Sequence, residues 1–219
     1  NASSFNTVTP YYTEASRGVT FGNNIFVGVS ESGKTGRSTD NGTSFSSVNS
    51  NQSNNLYGVT FGNDTFVAVS SNRKTVRSTN DGSTWSYTNT PYPYRAFYGV
   101  TFGNNTFVAV GDSGKIVRST DNGSTWNNST SGISSHLKGV TFGNNTFMAV
   151  GQSGKILISS DNGSTWNNST SGTTRYLYGV TFGNDTFVAV GQSGTILRST
   201  DDGSSWNNST SPITTDLNG

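Results

Sequence analysis

Three observations in this 219-residue sequence predict an all-β fold, a five-bladed β-propeller of four-stranded antiparallel blades closed by its termini. The hexapeptide Gly-Val-Thr-Phe-Gly-Asn, or a close variant, starts at Gly18, Gly58, Gly99, Gly139 and Gly179, a period near 40. An octapeptide of the type Ser-Thr-Asp-Asn-Gly-Ser-Thr-Trp recurs with it, over Ser38–Phe45, Ser78–Trp85, Ser119–Trp126, Ser159–Trp166 and Ser199–Trp206. The apolar residues follow no 3.6-residue period, which helical repeats of similar length need. Several short strands repeating every 40 or so residues are the mark of propeller blades.

The third unit serves for all five. A first strand is expected at Tyr98–Phe102, then a turn at Gly103-Asn104-Asn105. The second strand, Thr106–Val110, is almost wholly apolar, as a strand covered on both faces should be. Gly111–Gly114 leads to a third strand at Lys115–Thr120, and the octapeptide turns the chain into a fourth at Ser124–Ser129. Asn and Gly tolerate the positive φ of tight hairpins, and an Asp side chain can bond backbone amides two residues on. The Trp at a fixed offset suits packing back onto the hairpin. Thr130–Lys138 returns to the next unit. The first strand should line the central axis and the fourth the rim.

Ser-x-Asp-x-Gly-x-x-Trp resembles the Asp-box, or BNR repeat, of sialidases and of photosystem-assembly-factor-like propellers. The matches are Ser119/Asp121/Gly123/Trp126, Ser159/Asp161/Gly163/Trp166 and Ser199/Asp201/Gly203/Trp206. Two copies depart: Asp40 ends in Phe45 rather than Trp, and Asn80 replaces Asp before Trp85. The resemblance implies a structural hairpin on the rim, away from the ligand face. It therefore implies that Asp40, Asn80, Asp121, Asp161 and Asp201 are not catalytic.

The whole of 1–219 reads as one domain. Segments 1–17 and 202–219 align without gaps, Phe5 falling on Trp206 and Gly18 on Gly219, so the chain holds five sets of the first three strands and six fourth-strand segments. Closed propellers commonly let the termini share a blade, which removes an open sheet edge. The preferred expectation is that Ser4–Val8 completes the last blade and displaces the Trp206 segment. The reverse assignment and a cut from a longer array stay open.

Hydrophobic residues make up 30% and charged residues 11%, with a net charge of +1 and 12% aromatics. The aromatic content argues against disorder. Near-zero charge gives no basic footprint for nucleic acid. No apolar run nears the roughly 18 residues of a membrane helix, so no membrane insertion is expected. Without cysteine there is no disulfide framework or thiolate metal site, and neither a metal nor a cofactor is expected. An Asn/Ser/Thr-rich surface points to an extracellular or cell-surface setting.

Variation between repeats falls in two loop sets that propellers place on one face. One set collects Tyr57, Arg95, Tyr98, His136, Lys138, Arg175, Tyr176 and Tyr178; the other includes Asp112, Gln152 and Gln192. Loops on a rigid scaffold carry binding, and Tyr and Arg contact sugars and proteins well. Packing tyrosines and ordinary turn residues are the plainer account of the same list. Catalysis is not expected: His136 is the lone histidine, and the only glutamates are Glu14 and Glu31. Arg37, Arg77, Arg118 and Arg198 repeat at one strand position and read as structural. The expected function is a non-enzymatic binding module for glycans or protein partners. The alternatives are a structural subunit that self-associates through its surplus terminal strand, and a designed or recently amplified propeller without a ligand.

Overall fold

The structure, a computed structural model, describes residues 15–219. The expectations for Ser4–Val8, Phe5 and Glu14 lie outside the described residues. Five antiparallel sheets follow one another, each of four strands in chain order. The inner strands are Ser16–Gly22, Leu56–Gly62, Phe97–Gly103, Leu137–Gly143 and Leu177–Gly183. The second strands are Ile25–Ser30, Thr65–Ser70, Thr106–Gly111, Thr146–Gly151 and Thr186–Gly191. Third strands such as Ile116–Ser119 and short fourth strands such as Asn127–Ser129 complete each sheet. The inner strands pack against one another in sequence order, so the arrangement is propeller-like.

Period-two alternation in the second strands builds the core. In Thr106–Gly111, Phe107 and Ala109 face the preceding sheet, and Val108 and Val110 face the following one. Each core is therefore shared by two neighbouring sheets. The one between the third and fourth sheets joins Val108, Val110 and Ile116 to Phe147, Ala149, Leu157 and Trp166. Such strands are covered on both faces, and the middle three second strands are buried throughout. The fifth, Thr186–Gly191, alternates buried with half-buried residues because no further sheet covers it among the described residues.

The octapeptide closes each hairpin as its chemistry predicts. Asn122 and Gly123 take φ of 57° and 74°, and the Ser124 amide donates to the Asp121 carbonyl at 3.2 Å. Two central residues at positive φ make a type I′ turn, whose twist matches the flanking strands. The Ser119 hydroxyl donates to Asp121 Oδ1 at 2.8 Å and accepts the Gly123 amide at 2.9 Å. Asp121 also accepts the amide and hydroxyl of Thr125 at 2.9 and 2.7 Å. Asn80 keeps the pattern in the second sheet, accepting from Ser78 at 2.9 Å and from the Thr84 amide at 3.0 Å. Trp85, Trp126 and Trp166 are buried, whereas Trp206 is half-buried and so is Phe45.

The turn also ties one sheet to the last. Arg37 Nε donates to the Asp81 carbonyl at 2.6 Å, Arg77 reaches the Ser124 hydroxyl, and Arg118 reaches that of Ser164. Arg37, Arg77 and Arg118 thus bridge neighbouring sheets, whereas Arg198 in the fifth sheet is exposed. In the fourth sheet Ile158 stands at that position and lies under Gly203.

At the last sheet the reverse of the preferred assignment is found. Asn207–Asn208 pairs with the third strand of the fifth sheet, so the Trp206 segment is not displaced. No strand is shared between the fifth sheet and the first among the described residues. Val19 and Phe21 on the first inner strand are 65% and 51% exposed.

Candidate functional site

The residue just before each Gly-Val-Thr-Phe-Gly-Asn copy, or its variant, falls at one position of every inner strand. These residues are Arg17, Tyr57, Tyr98, Lys138 and Tyr178, and all but Tyr98 line a cavity of about 370 Å³ bounded by the five inner strands. The floor is apolar and small, made by the Gly-Val pairs such as Gly99-Val100 and Gly139-Val140. Four of the inner strands therefore set a side chain around one mouth, and the third sets Tyr98 against two of them.

Those side chains touch in a chain. The Arg17 guanidinium lies 5.7 Å from the Tyr57 ring centre, Tyr57 and Tyr98 rings are 5.4 Å apart, and Lys138 Nζ sits 3.7 Å over the Tyr98 ring. Cations over tyrosine faces are held by the ring quadrupole. Arg17 also pairs with Glu31. Tyr178 donates to Asp216 at 3.4 Å and meets Tyr176 edge-on at 6.5 Å.

Asp112 anchors this cluster from behind. It accepts the Tyr98 hydroxyl at 2.6 Å and the Ala96 amide at 3.1 Å, and His136 Nδ1 lies 3.0 Å away. Burial pushes the Asp112 carboxyl up, but the bonds from Tyr98, Ala96 and His136 outweigh it and hold it below the ordinary carboxylate range. Burial, and next the bond to Asp112, push the Tyr98 hydroxyl well up, so it stays protonated as a donor. Burial lowers Lys138, against the attraction of Asp112. The Tyr98 ring, held by the Asp112 carboxylate, thus lies against Lys138 at the mouth.

The two loop sets do meet on one face. The Asp112–Gly114 turn contacts the linker residues Ala96 and His136, and the Gln152 and Gln192 side chains accept the amides of His136 and Tyr176 at 3.4 Å. Of the expected site residues, Tyr57, Lys138 and Tyr178 share the cavity, while Tyr98 packs against Tyr57 and Lys138 and is held by Asp112, which in turn meets His136. Arg95, exposed, reaches Ser113 at 3.3 Å and does not join it. Arg175 donates to the Ser193 carbonyl at 3.0 Å and lines a separate groove of about 490 Å³ with Ser153, Lys155 and Ser169–Arg175. Arg17 was not among the expected residues; its place at the same repeat position as Tyr57 and Tyr98 was the signal.

His136 does not form a nucleophilic triad with these groups. Asp112 and the Ser113 amide both address Nδ1, and among the described residues no serine hydroxyl bonds Nε2. Among the described residues no group of three or more His, Asp or Glu side chains could hold a metal ion. No helix among them is long and apolar enough to cross a membrane.

Solved structures share the arrangement. A structure titled YCF48 bound to D1 peptide superposes with a TM-score of 0.72 at 17% identity, over 91% of this chain and 68% of that one. YCF48 from Cyanidioschyzon merolae gives 0.64 at 15% identity, over 97% and 90%. The computationally designed Ika8 protein gives 0.72 at 13% identity, over 93% and 64%. At these identities the likeness is one of fold. No curated protein matches the sequence at a significant level. The model of one family matches residues 6–137, more than half of the chain, and on that match the chain belongs to the DUF6242 beta propeller domain family.

Proposed function

We propose that the chain is a non-enzymatic binding module that takes a protein segment at the mouth lined by Arg17, Tyr57, Lys138 and Tyr178, with Tyr98 packed against two of them. The observation that carries this is the convergence of two tyrosines and two cations, from four of the five sheets, on a cavity with an apolar floor, with Tyr98 of the third sheet packed against Tyr57 and Lys138. Tyrosine and arginine are the side chains that most often anchor protein partners. Lys138 and Arg17 favour a ligand with an acidic group, and the glycine floor lets a backbone approach closely. A protein segment is preferred to a glycan because a structural neighbour, YCF48, is titled as bound to a peptide. The Ser-Asp-Gly-Trp hairpins fit the Asp-box reading, which assigns them to the rim and leaves the mouth as the ligand face. A surface rich in Asn, Ser and Thr suits a place outside the cell or on its surface.

Selection from a displayed library of linear peptides tests the proposal, with a glycan array beside it. Acidic peptides should be enriched, and Tyr98→Ala or Lys138→Ala should weaken them by about tenfold, the loss of about 1.4 kcal/mol. Peptide binding untouched by both substitutions, or hits on the glycan array alone, would sink it.

A further inference from the structure

We propose that a second copy of this chain docks its first sheet onto the open side of the fifth sheet, repeating the contact that joins each sheet to the next. That contact has the same parts at the four junctions inside the chain. At the axis, a glycine ending one inner strand lies under a phenylalanine of the next. Gly22 faces Phe61, Gly62 Phe102, Gly103 Phe142 and Gly143 Phe182, so closely that a Cβ would overlap each ring. Midway, Val27, Val67, Val108 and Met148 pack under the turn glycines Gly82, Gly123, Gly163 and Gly203. At the corner, an asparagine amide crosses to the next sheet's turn, as Asn63 does to Asn122 at 3.0 Å and Asn144 to Asp202 at 2.8 Å.

The chain ends carry the unmatched halves. Among the described residues nothing lies within 4 Å of a Cβ built on Gly183, and Arg198, the counterpart of Arg37, Arg77 and Arg118, is exposed. On the first sheet, Phe21 is 51% exposed, and a Cβ on Gly42 would meet only Phe26 of its own sheet. The face left open by one copy is complementary to the face left open by the next, because both derive from one repeat. Gly219 marks the place. It rests on Gly179 as Gly179 rests on Gly139, so docking puts Gly18 of the incoming copy there and turns the terminal glycine aside.

Gly28 and Gly36 stand on the first sheet where Ala and Val, Leu occur in the others, so this face is thinner than its counterparts. The contact between copies is accordingly weaker than those within the chain, and assembly depends on concentration. Two different faces meet, so the interface is heterologous and gives rings or filaments rather than a twofold dimer.

Sedimentation of the 219-residue chain over a wide concentration range is the test. The mass of the parent chain should rise with concentration. Phe21→Asp spoils only the first-sheet face, and Gly183→Leu only the fifth-sheet face. Both positions have room in the single copy, so matching melting curves report that both fold. Each variant alone should be monomeric. Their equimolar mixture should form a dimer and nothing larger, since each brings one intact face. A parent chain that stays monomeric throughout overturns the proposal, as closure by its own residues 1–14 would produce. Association that survives both substitutions, or a mixture that fails to pair, overturns it too.

Discussion

Ser119 shows how much a single hydroxyl does in this chain. It is fully buried, it accepts the Gly123 amide and it orients Asp121. Removing it leaves a buried amide without a partner, which costs about 1–3 kcal/mol. Ser119→Ala should therefore lower the melting temperature by several degrees, while Ser204→Ala, at an exposed turn position, should leave it unchanged; a calorimetric scan of both separates the two. The motif that carries this role was readable from spacing alone, because the turn is built from residues within eight of one another. The Asp112 cluster was legible only as a list. Tyr98, Asp112 and His136 come together across two repeats, and nothing in a local pattern records which linker reaches which loop.

Among elements, the inner strand shows the same contrast between local pattern and packing. Its existence follows from Gly-Val-Thr-Phe-Gly-Asn. Its closing glycine is required by something outside the strand, the phenylalanine of the next sheet. Gly103→Ala should force Phe142 out of its place and destabilise by about 1–3 kcal/mol, as overpacking does. Gly183→Ala, the same substitution in the same motif, should cost far less in the single copy because it meets open space; urea melts of the two variants compare them directly. The second strands were equally legible as doubly covered, since unbroken apolar runs have few other homes. The expected blade closure was not seen. A repeat encodes its contact with its neighbour, and the small rotation per contact that would decide when a ring meets itself leaves no mark in the residue pattern.

Taken as a whole molecule, stability is the sum of five similar hairpin latches and four similar junctions. The four latches built on aspartate titrate together. Asp40 and Asp201 are lowered from 3.8 to about 2, chiefly by the hydroxyls of Ser44 and Ser205, and next by their amides. In Asp121 and Asp161 burial pushes upward, but the bonds from Thr125 and Thr165 prevail and leave both below the ordinary value. A folded carboxyl that binds protons less readily than the unfolded one contributes stability that is complete above the unfolded value. That contribution is lost as pH falls through the folded one. The melting temperature should thus hold between pH 5 and 7 and fall steadily from about pH 4 to pH 2, with Asp40→Asn and Asp201→Asn together flattening part of the fall.

Because every junction uses the same residue types, the chain tolerates bookkeeping errors in its own gene. Excising one period between equivalent codons would bring Gly62 against Phe142 and Arg77 against Ser164, the same pairs that meet now one sheet apart. Slippage in replication, common where neighbouring stretches are as alike as Asn122–Gly132 and Asn162–Gly172, would add or remove whole sheets without creating a mismatched seam. The number of sheets can drift between generations while the chemistry of each contact stays constant, and only the size of the opening in the circle would record the change.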